Sequence, residues 1–255
     1  MDDRSHVRPP DPDRPEGGRR HRSASPRREA VRARGRCRQH LGRQPGRRHP
    51  RAREPQTLRI TKRIRVGFQA FSAAFGARSV WVSLESDGTV ARVDPRRNKV
   101  VARIRGFTDP NGLVYAYRAV WVSDLAAGRV VRVDPRTNRI TARIKIPKAD
   151  WITPGAGALW VSSEKNRVYR LDPHAREVTA TVAVGANPLA SAWVGDELWV
   201  PNIDSNSISV VDPATNAVSR TISAGNAPLG VLSTPDGVFV SMSNDGAVWR
   251  FPTGS

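Results

Sequence analysis

The 255-residue sequence contains a single cysteine, Cys37, so no intrachain disulfide and no cysteine-based zinc site can form. It has no run of 18 apolar residues, which excludes a membrane-spanning helix. No apolar stretch follows the N-terminal arginines, so the Arg pairs at 19–20, 27–28 and 47–48 lack what an export signal needs. As written, the chain reads as cytoplasmic; a start codon assigned too far upstream would leave an extracytoplasmic location open. Histidine is equally sparse. His6, His21, His40 and His49 all precede residue 50, and only His174 follows.

Residues 1–56 lack aromatics and lysine, and Val7, Val31 and Leu41 are their only large aliphatics apart from Met1. They hold 17 Arg against 7 acidic residues, a net charge of +10. So little apolar surface cannot offset the entropy of ordering a chain, and this segment is expected to be a disordered Arg/Pro-rich tail. A polyelectrolyte arm for nucleic acid is the functional alternative to a solvated tail. The missing aromatics deny it a base-stacking platform. Nucleic acid is therefore disfavoured as a partner, and only the tail would reach it.

What is abundant lies in 57–255, where one pattern recurs five times. Its aromatics are Trp81, Trp121, Trp160, Trp199 and Phe239, spaced 40, 39, 39 and 40 residues apart. Asp-Pro follows 12 or 13 residues later, at Asp94, Asp134, Asp172 and Asp212. Each repeat breaks into four β-branched runs separated by Gly, Asp, Pro or Asn. A period near 40 made of short strands predicts an all-β fold, a β-propeller of about five four-stranded blades. The recurrent aromatic is expected to wedge between neighbouring blades, and the Asp-Pro-x-Thr-Asn run to form a capped turn. These aspartates are read as structural.

The fifth repeat stops after three strands, while 59–66 matches the outer strand 139–146. Pairing that N-terminal strand with the C-terminal strands would close the ring and remove its open edges. The alternative is the C-terminal part of a six- or seven-bladed ring, suggested by Glu54-Pro55-Gln56-Thr57, which resembles the turn that precedes an outer strand.

With Val-Trp-Val, Asp-Pro-x-Thr-Asn and Gly-Ala-Asn-Pro (185–188) in register, the chain resembles the YVTN-repeat propellers and their kin, the bacterial streptogramin B (virginiamycin B) lyase-like propellers. The resemblance covers residues 54–255. It implies a propeller and, if activity is shared, a lyase with histidines, a Glu and a metal at the channel mouth. No histidine here occupies such a place: His174 falls in a turn at the rim. Lactonase-like propellers instead carry metal sites of axial carboxylates and Asn, which directs attention to those positions here.

The channel mouth is expected from the loop entering each inner strand and the loop after each second strand. Asn111, Asp124, Asp150 and Asn202 fall there, with Glu164 and Asp204 behind them. Oxygen ligands on separate strands suit calcium or magnesium; no cofactor is otherwise expected. Trp151 breaks the aromatic pattern beside Asp150 and is the best single candidate for a ligand contact. The function that follows is a non-catalytic scaffold binding a protein or small molecule at the mouth, with no catalytic residues assigned. The alternative is a divergent lyase or metal-dependent hydrolase using Asp124, Asp150, Glu164 and Asn202. Charge is uneven: 57–148 carries 19 basic and 6 acidic groups, 149–255 carries 6 and 10, so the basic half can steer acidic partners.

Overall fold

The computed structural model describes residues 60–252. The chain divides into two units, Met1–Thr57 and Leu58–Ser255, and the described residues belong to the second. The expected tail, 1–56, and Cys37 lie outside them. Among the described residues there are 19 strands, one short 3-10 turn and no α-helix, so no helix is long and apolar enough to cross a membrane.

The strands form five antiparallel sheets taken in chain order. Sheet 1 is β1 (Ala70–Gly76), β2 (Ser79–Leu84), β3 (Thr89–Asp94) and β4 (Lys99–Arg105). Sheet 2 is β5 (Pro110–Ala116), β6 (Ala119–Asp124), β7 (Arg129–Asp134) and β8 (Arg139–Lys145). Sheet 3 is β9 (Ala149–Gly155), β10 (Ala158–Ser163), β11 (Arg167–Asp172) and β12 (Glu177–Ala183). Sheet 4 is β13 (Ala192–Val194), β14 (Glu197–Asn202), β15 (Ser207–Asp212) and β16 (Ala217–Ser223). Sheet 5 has only β17 (Pro228–Thr234), β18 (Gly237–Met242) and β19 (Ala247–Phe251). This repetition is consistent with a propeller-like fold. β5 packs beside both β1 and β9, and β17 beside β13 and β14; no comparable packing joins β1 to β17 among the described residues.

Each tryptophan of the repeat sits on its own second strand and packs against the sheet that follows. Trp81 meets Leu113, Val120 and Val131; Trp121 meets Ile152, Leu159 and Leu171; Trp160 meets Leu198, Val200 and Val211. All three are fully buried. Each indole N–H donates to the carbonyl closing its own first strand, at Gly76, Ala116 or Gly155, over 3.1–3.3 Å. A ring that size supplies much of each interface's apolar burial, while the hydrogen bond sets its tilt. A second knob points the other way. Tyr115 of sheet 2 lies over Gly76 of sheet 1, and Trp193 of sheet 4 lies over Gly155 of sheet 3. A Cβ at either glycine would strike the ring.

The Asp-Pro turns link β3 to β4 and its equivalents. Asp94, Asp134, Asp172 and Asp212 each accept from the backbone N–H two residues on, at 2.7–2.8 Å. These bonds favour the ionised form and hold all four carboxyls below the usual range. Asn98, Asn138 and Asn216 leave the turn at φ 54–58°, a left-handed conformation that Asn tolerates better than most residues.

The ends of the stack differ from its middle. Residues 60–66, expected to supply the missing outer strand of sheet 5, have no strand pairing, and β19 pairs only with β18. Val66 instead packs against Leu84 of sheet 1. Phe75, which holds the position of Tyr115 and Trp193, is 67% exposed, and Leu232, beside Phe239 on sheet 5, is 61% exposed. The first and last sheets thus carry apolar faces that no described residue covers.

Candidate functional site

In an antiparallel meander the loops before the first strand and after the second share one end of the sheet. At that end Ala70, Pro110, Ala149, Pro188 and Pro228 pair with the last residues of their second strands. The next residues are Phe71, Asn111, Asp150, Leu189 and Leu229, equivalent positions on five successive sheets. In sheets 1, 2, 3 and 5 the pairing register slips at this point. An extra residue in one strand bends it and re-aims its side chains, which is how a regular sheet presents a group at its edge.

A serine fastens this end together. Ser83 donates to the Asn111 carbonyl at 2.7 Å, Ser123 to the Asp150 carbonyl, and Ser162 to the Leu189 carbonyl at 2.8 Å. Each bond runs from a second strand to the inner strand of the next sheet or, at Leu189, to the segment that leads into it. It therefore fixes the backbone of Asn111, Asp150 and Leu189 at this end of the sheets. These serines were overlooked in the sequence, although Val-Trp-Val-Ser at 80–83 and 120–123 and Leu-Trp-Val-Ser at 159–162 carried the signal.

Asn111 and Asp150 occupy equivalent positions on the adjacent strands β5 and β9. Both are buried, at 6% and 8% exposure, and the Asn111 side-chain oxygen has no hydrogen-bond partner among the described residues. No donor among them reaches the Asp150 carboxyl either. Burial, helped by the negative charges of Glu164, Asp109 and Glu85, pushes that carboxyl up to about 6. Trp151 stacks against Phe71 with ring centroids 5.7 Å apart and planes inclined at 42°. Phe71 is itself exposed. The sheet 1–3 end thus offers one buried oxygen without a partner, at Asn111, and the Asp150 carboxyl beside an aromatic pair.

The other sequence candidates are engaged elsewhere. Asp124 is fully buried, accepts from the N–H groups of Thr108 and Asp109, and pairs with Arg129 at 2.7 Å. It ties the loop before β5 to β7 of its own sheet. Asn202 holds the equivalent place in sheet 4 and donates to Ser207 and Ser209. Its side-chain oxygen is buried without a partner, packed near Gly185. Glu164 is exposed and pairs with Lys148 at 3.4 Å, while Asp204 is exposed in the 3-10 turn Ile203–Ser205. Among the described residues no three His, Cys, Asp or Glu gather as a metal site needs. Outward from the mouth, a cleft of about 490 Å³ lies between loop 125–128 and Pro147, lined also by Arg129, Arg143, Lys145 and Lys148.

No family model matches the chain. Among curated proteins, a 64-residue stretch is 39% identical to the PE-PGRS family protein PE_PGRS18 of Mycobacterium tuberculosis (strain ATCC 25618 / H37Rv), covering 25% of this chain and 11% of that protein. Solved structures share the fold at low identity. Kuenenia stuttgartiensis hydrazine synthase superposes with a TM-score of 0.60 at 18% identity, over 72% of this chain and 66% of that one. A functionally unknown protein from Desulfotomaculum acetoxidans DSM 771 gives 0.61 at 17%, over 74% and 70%. The computationally designed Ika8 protein gives 0.60 at 14%, over 70% and 57%. The chain thus spans about a tenth of the curated relative and roughly two thirds of the structural ones. At these identities the likeness is one of fold.

Proposed function

We propose that this chain is a β-propeller of the YVTN-repeat, streptogramin B lyase-like kind that acts as a non-catalytic binding module, with its ligand seated at the mouth end of sheets 1–3. The observation that carries this is the surplus of acceptors. A buried carboxyl and a buried amide oxygen lie on neighbouring strands with no donor among the described residues, and such groups are costly unless something supplies one. A ligand with N–H or O–H donors and a flat apolar face would satisfy both them and the Phe71–Trp151 pair. Groups with this acceptor chemistry suit an aromatic amine better than an acid.

Calorimetry with tryptamine, against indole-3-acetate as its anionic counterpart, tests the reading. Saturable binding of the amine, weakened at least tenfold in Asp150→Asn, is expected; equal heats for both compounds, or no effect of the substitution, would overturn it. The alternative is a divergent lyase or metal-dependent hydrolase. It rests on the same Asp150, with Asn111 at the equivalent position of the neighbouring strand as a further oxygen ligand. A stoichiometric calcium or magnesium ion retained through dialysis, with hydrolytic or eliminating activity lost in Asp150→Ala, would favour it.

Ring closure belongs to the same reading. If 59–66 completes sheet 5 in solution, the outward amides of β19 will be protected from hydrogen exchange. If the five sheets are an arc of a six- or seven-bladed ring, those amides will exchange at the rate of an open edge.

A further inference from the structure

The opposite end of the sheets, where the Asp-Pro turns lie, contains a repeated latch with one interruption. In sheet 1, Arg92 lies over Trp81, 4.9 Å from the ring centroid. It donates across the cleft to the Pro135 carbonyl at 2.7 Å and the Asn138 side-chain oxygen at 2.9 Å. Arg170 of sheet 3 does the same to Pro213 and Asn216, at 3.0 and 2.9 Å. The acceptor is in each case the Asn that ends the turn of the next sheet.

Between sheets 2 and 3 that Asn is replaced by Arg176. The residue keeps the left-handed backbone, φ 61°, although it lacks the short polar side chain that eases this conformation. Arg132, the equivalent of Arg92 and Arg170, then faces a cation in place of its acceptor. It turns back to Thr141 on its own sheet at 2.6 Å. The cleft beside these arginines measures about 290 Å³ and is lined by Tyr117, Arg132, Pro173, His174 and Arg176. By contrast, the cleft between sheets 3 and 4, about 210 Å³, includes Asp172 in its lining. Asp134 attracts Arg132 from its own turn, and Asp172 is held by the N–H groups of His174 and Ala175. Tyr117 is pinned by its hydroxyl to the Ala158 carbonyl at 3.0 Å and meets His174 edge-on, centroids 6.1 Å apart. The wall of the cleft is therefore already in place.

We propose that this cleft binds a tetrahedral oxyanion of the phosphate or sulfate class, with the Arg132 and Arg176 guanidinium groups as its two forks. A doubly charged oxyanion supplies what the missing Asn would have given Arg132, an acceptor, and it satisfies Arg176 as well. Guanidinium groups match such oxygens two at a time, which an ammonium does not. The site is independent of the mouth, which lies at the other end of the strands.

Titration of the full chain with inorganic phosphate at constant ionic strength tests the assignment, followed by calorimetry and by the backbone amide signals of His174 and Arg176. Saturable binding is expected, with sulfate competing and chloride not. Arg176→Asn restores the acceptor of the sister clefts and a residue suited to the left-handed turn. It should therefore fold at least as well while losing tenfold or more in phosphate affinity, and Arg132→Gln should lose a similar factor. Arg92→Gln, in a latched cleft, should leave the affinity unchanged. Absence of saturation by about 20 mM phosphate, or equal affinity in the native chain and Arg176→Asn, would overturn the proposal.

Discussion

Sheets 1–3 and sheets 4–5 are built from the same repeat, yet their joints differ. Through sheet 3 each joint has a buried tryptophan with a bonded indole N–H and a serine reaching the next inner strand, and an arginine lies over each ring. In sheet 4 the serine is Pro201, the third-strand arginine is Val210, and the Trp199 N–H lies toward the Glu197 carboxyl instead of bonding its own first strand. Arg220 on β16 takes over the place beside Trp199, at 6.0 Å, held by Glu197 at 2.5 Å. A single parallel bridge, Ala190 to Gly230, joins sheets 4 and 5 where the serine bond would have been. The motif is thus chiefly a device for joining one sheet to the next. Where its parts are lost, the stack persists chiefly on apolar packing, through Trp199 with Val238, Val240 and Met242.

That contrast can be broken most forcefully at the wedge. Trp121→Ala should cost about 3–5 kcal/mol in urea unfolding, as for other buried aromatics. Phe239→Ala, half-buried with no following sheet, should cost well under half as much. A similar loss at both would show that the last sheet is covered after all.

Asp150 is next. Its carboxyl is raised to about 6, so the folded state holds a proton that the unfolded chain gives up near pH 4. Stability is therefore lost as pH rises from about 4 through 6 and stays lost above that. Asp150→Asn should recover on the order of 2 kcal/mol at pH 8 and nothing at pH 4. The four turn aspartates act with the opposite sign. Their depressed carboxyls contribute stability above the ordinary value of 3.8, and it is lost as pH falls below that. The melting temperature should therefore fall on the acid side of pH 4 in the native chain and in Asp150→Asn alike.

Smaller effects sharpen the comparison. Ser123→Ala leaves the Asp150 carbonyl short of a donor and should cost about 1–2 kcal/mol. Pro201→Ser would offer sheet 4 the missing bond and should gain less than about 1 kcal/mol. Arg176→Asn should stabilise the chain by a few tenths to about 1 kcal/mol through the left-handed turn and the regained latch. Chemical denaturation of each single variant checks all three.

Much of this architecture was legible in the chain. The 39–40 residue spacing of the aromatics placed the second strands, and Asp-Pro placed the turns, because both are local chemistry repeated in register. The site was legible only in part. Counting from the aromatics located Asn111, Asp124, Asp150 and Asn202 at the correct end of the sheets. It did not say which side chains turn inward, since Arg129 and the loop N–H groups capture Asp124 through three-dimensional contacts. The cross-sheet partners of Ser83 and Arg92 lie 28 and 43 or more residues away, so no local pattern announced either bond.

The strand order within every sheet and the capped turns were decided by sequence alone, because each depends on neighbours within one repeat. Which acceptors stay unsatisfied at the mouth, which arginine lacks its Asn, and how the first and last sheets meet their surroundings were decided by the stacking. These outcomes depend on what one repeat brings to the next, and that is settled only when the sheets are in place.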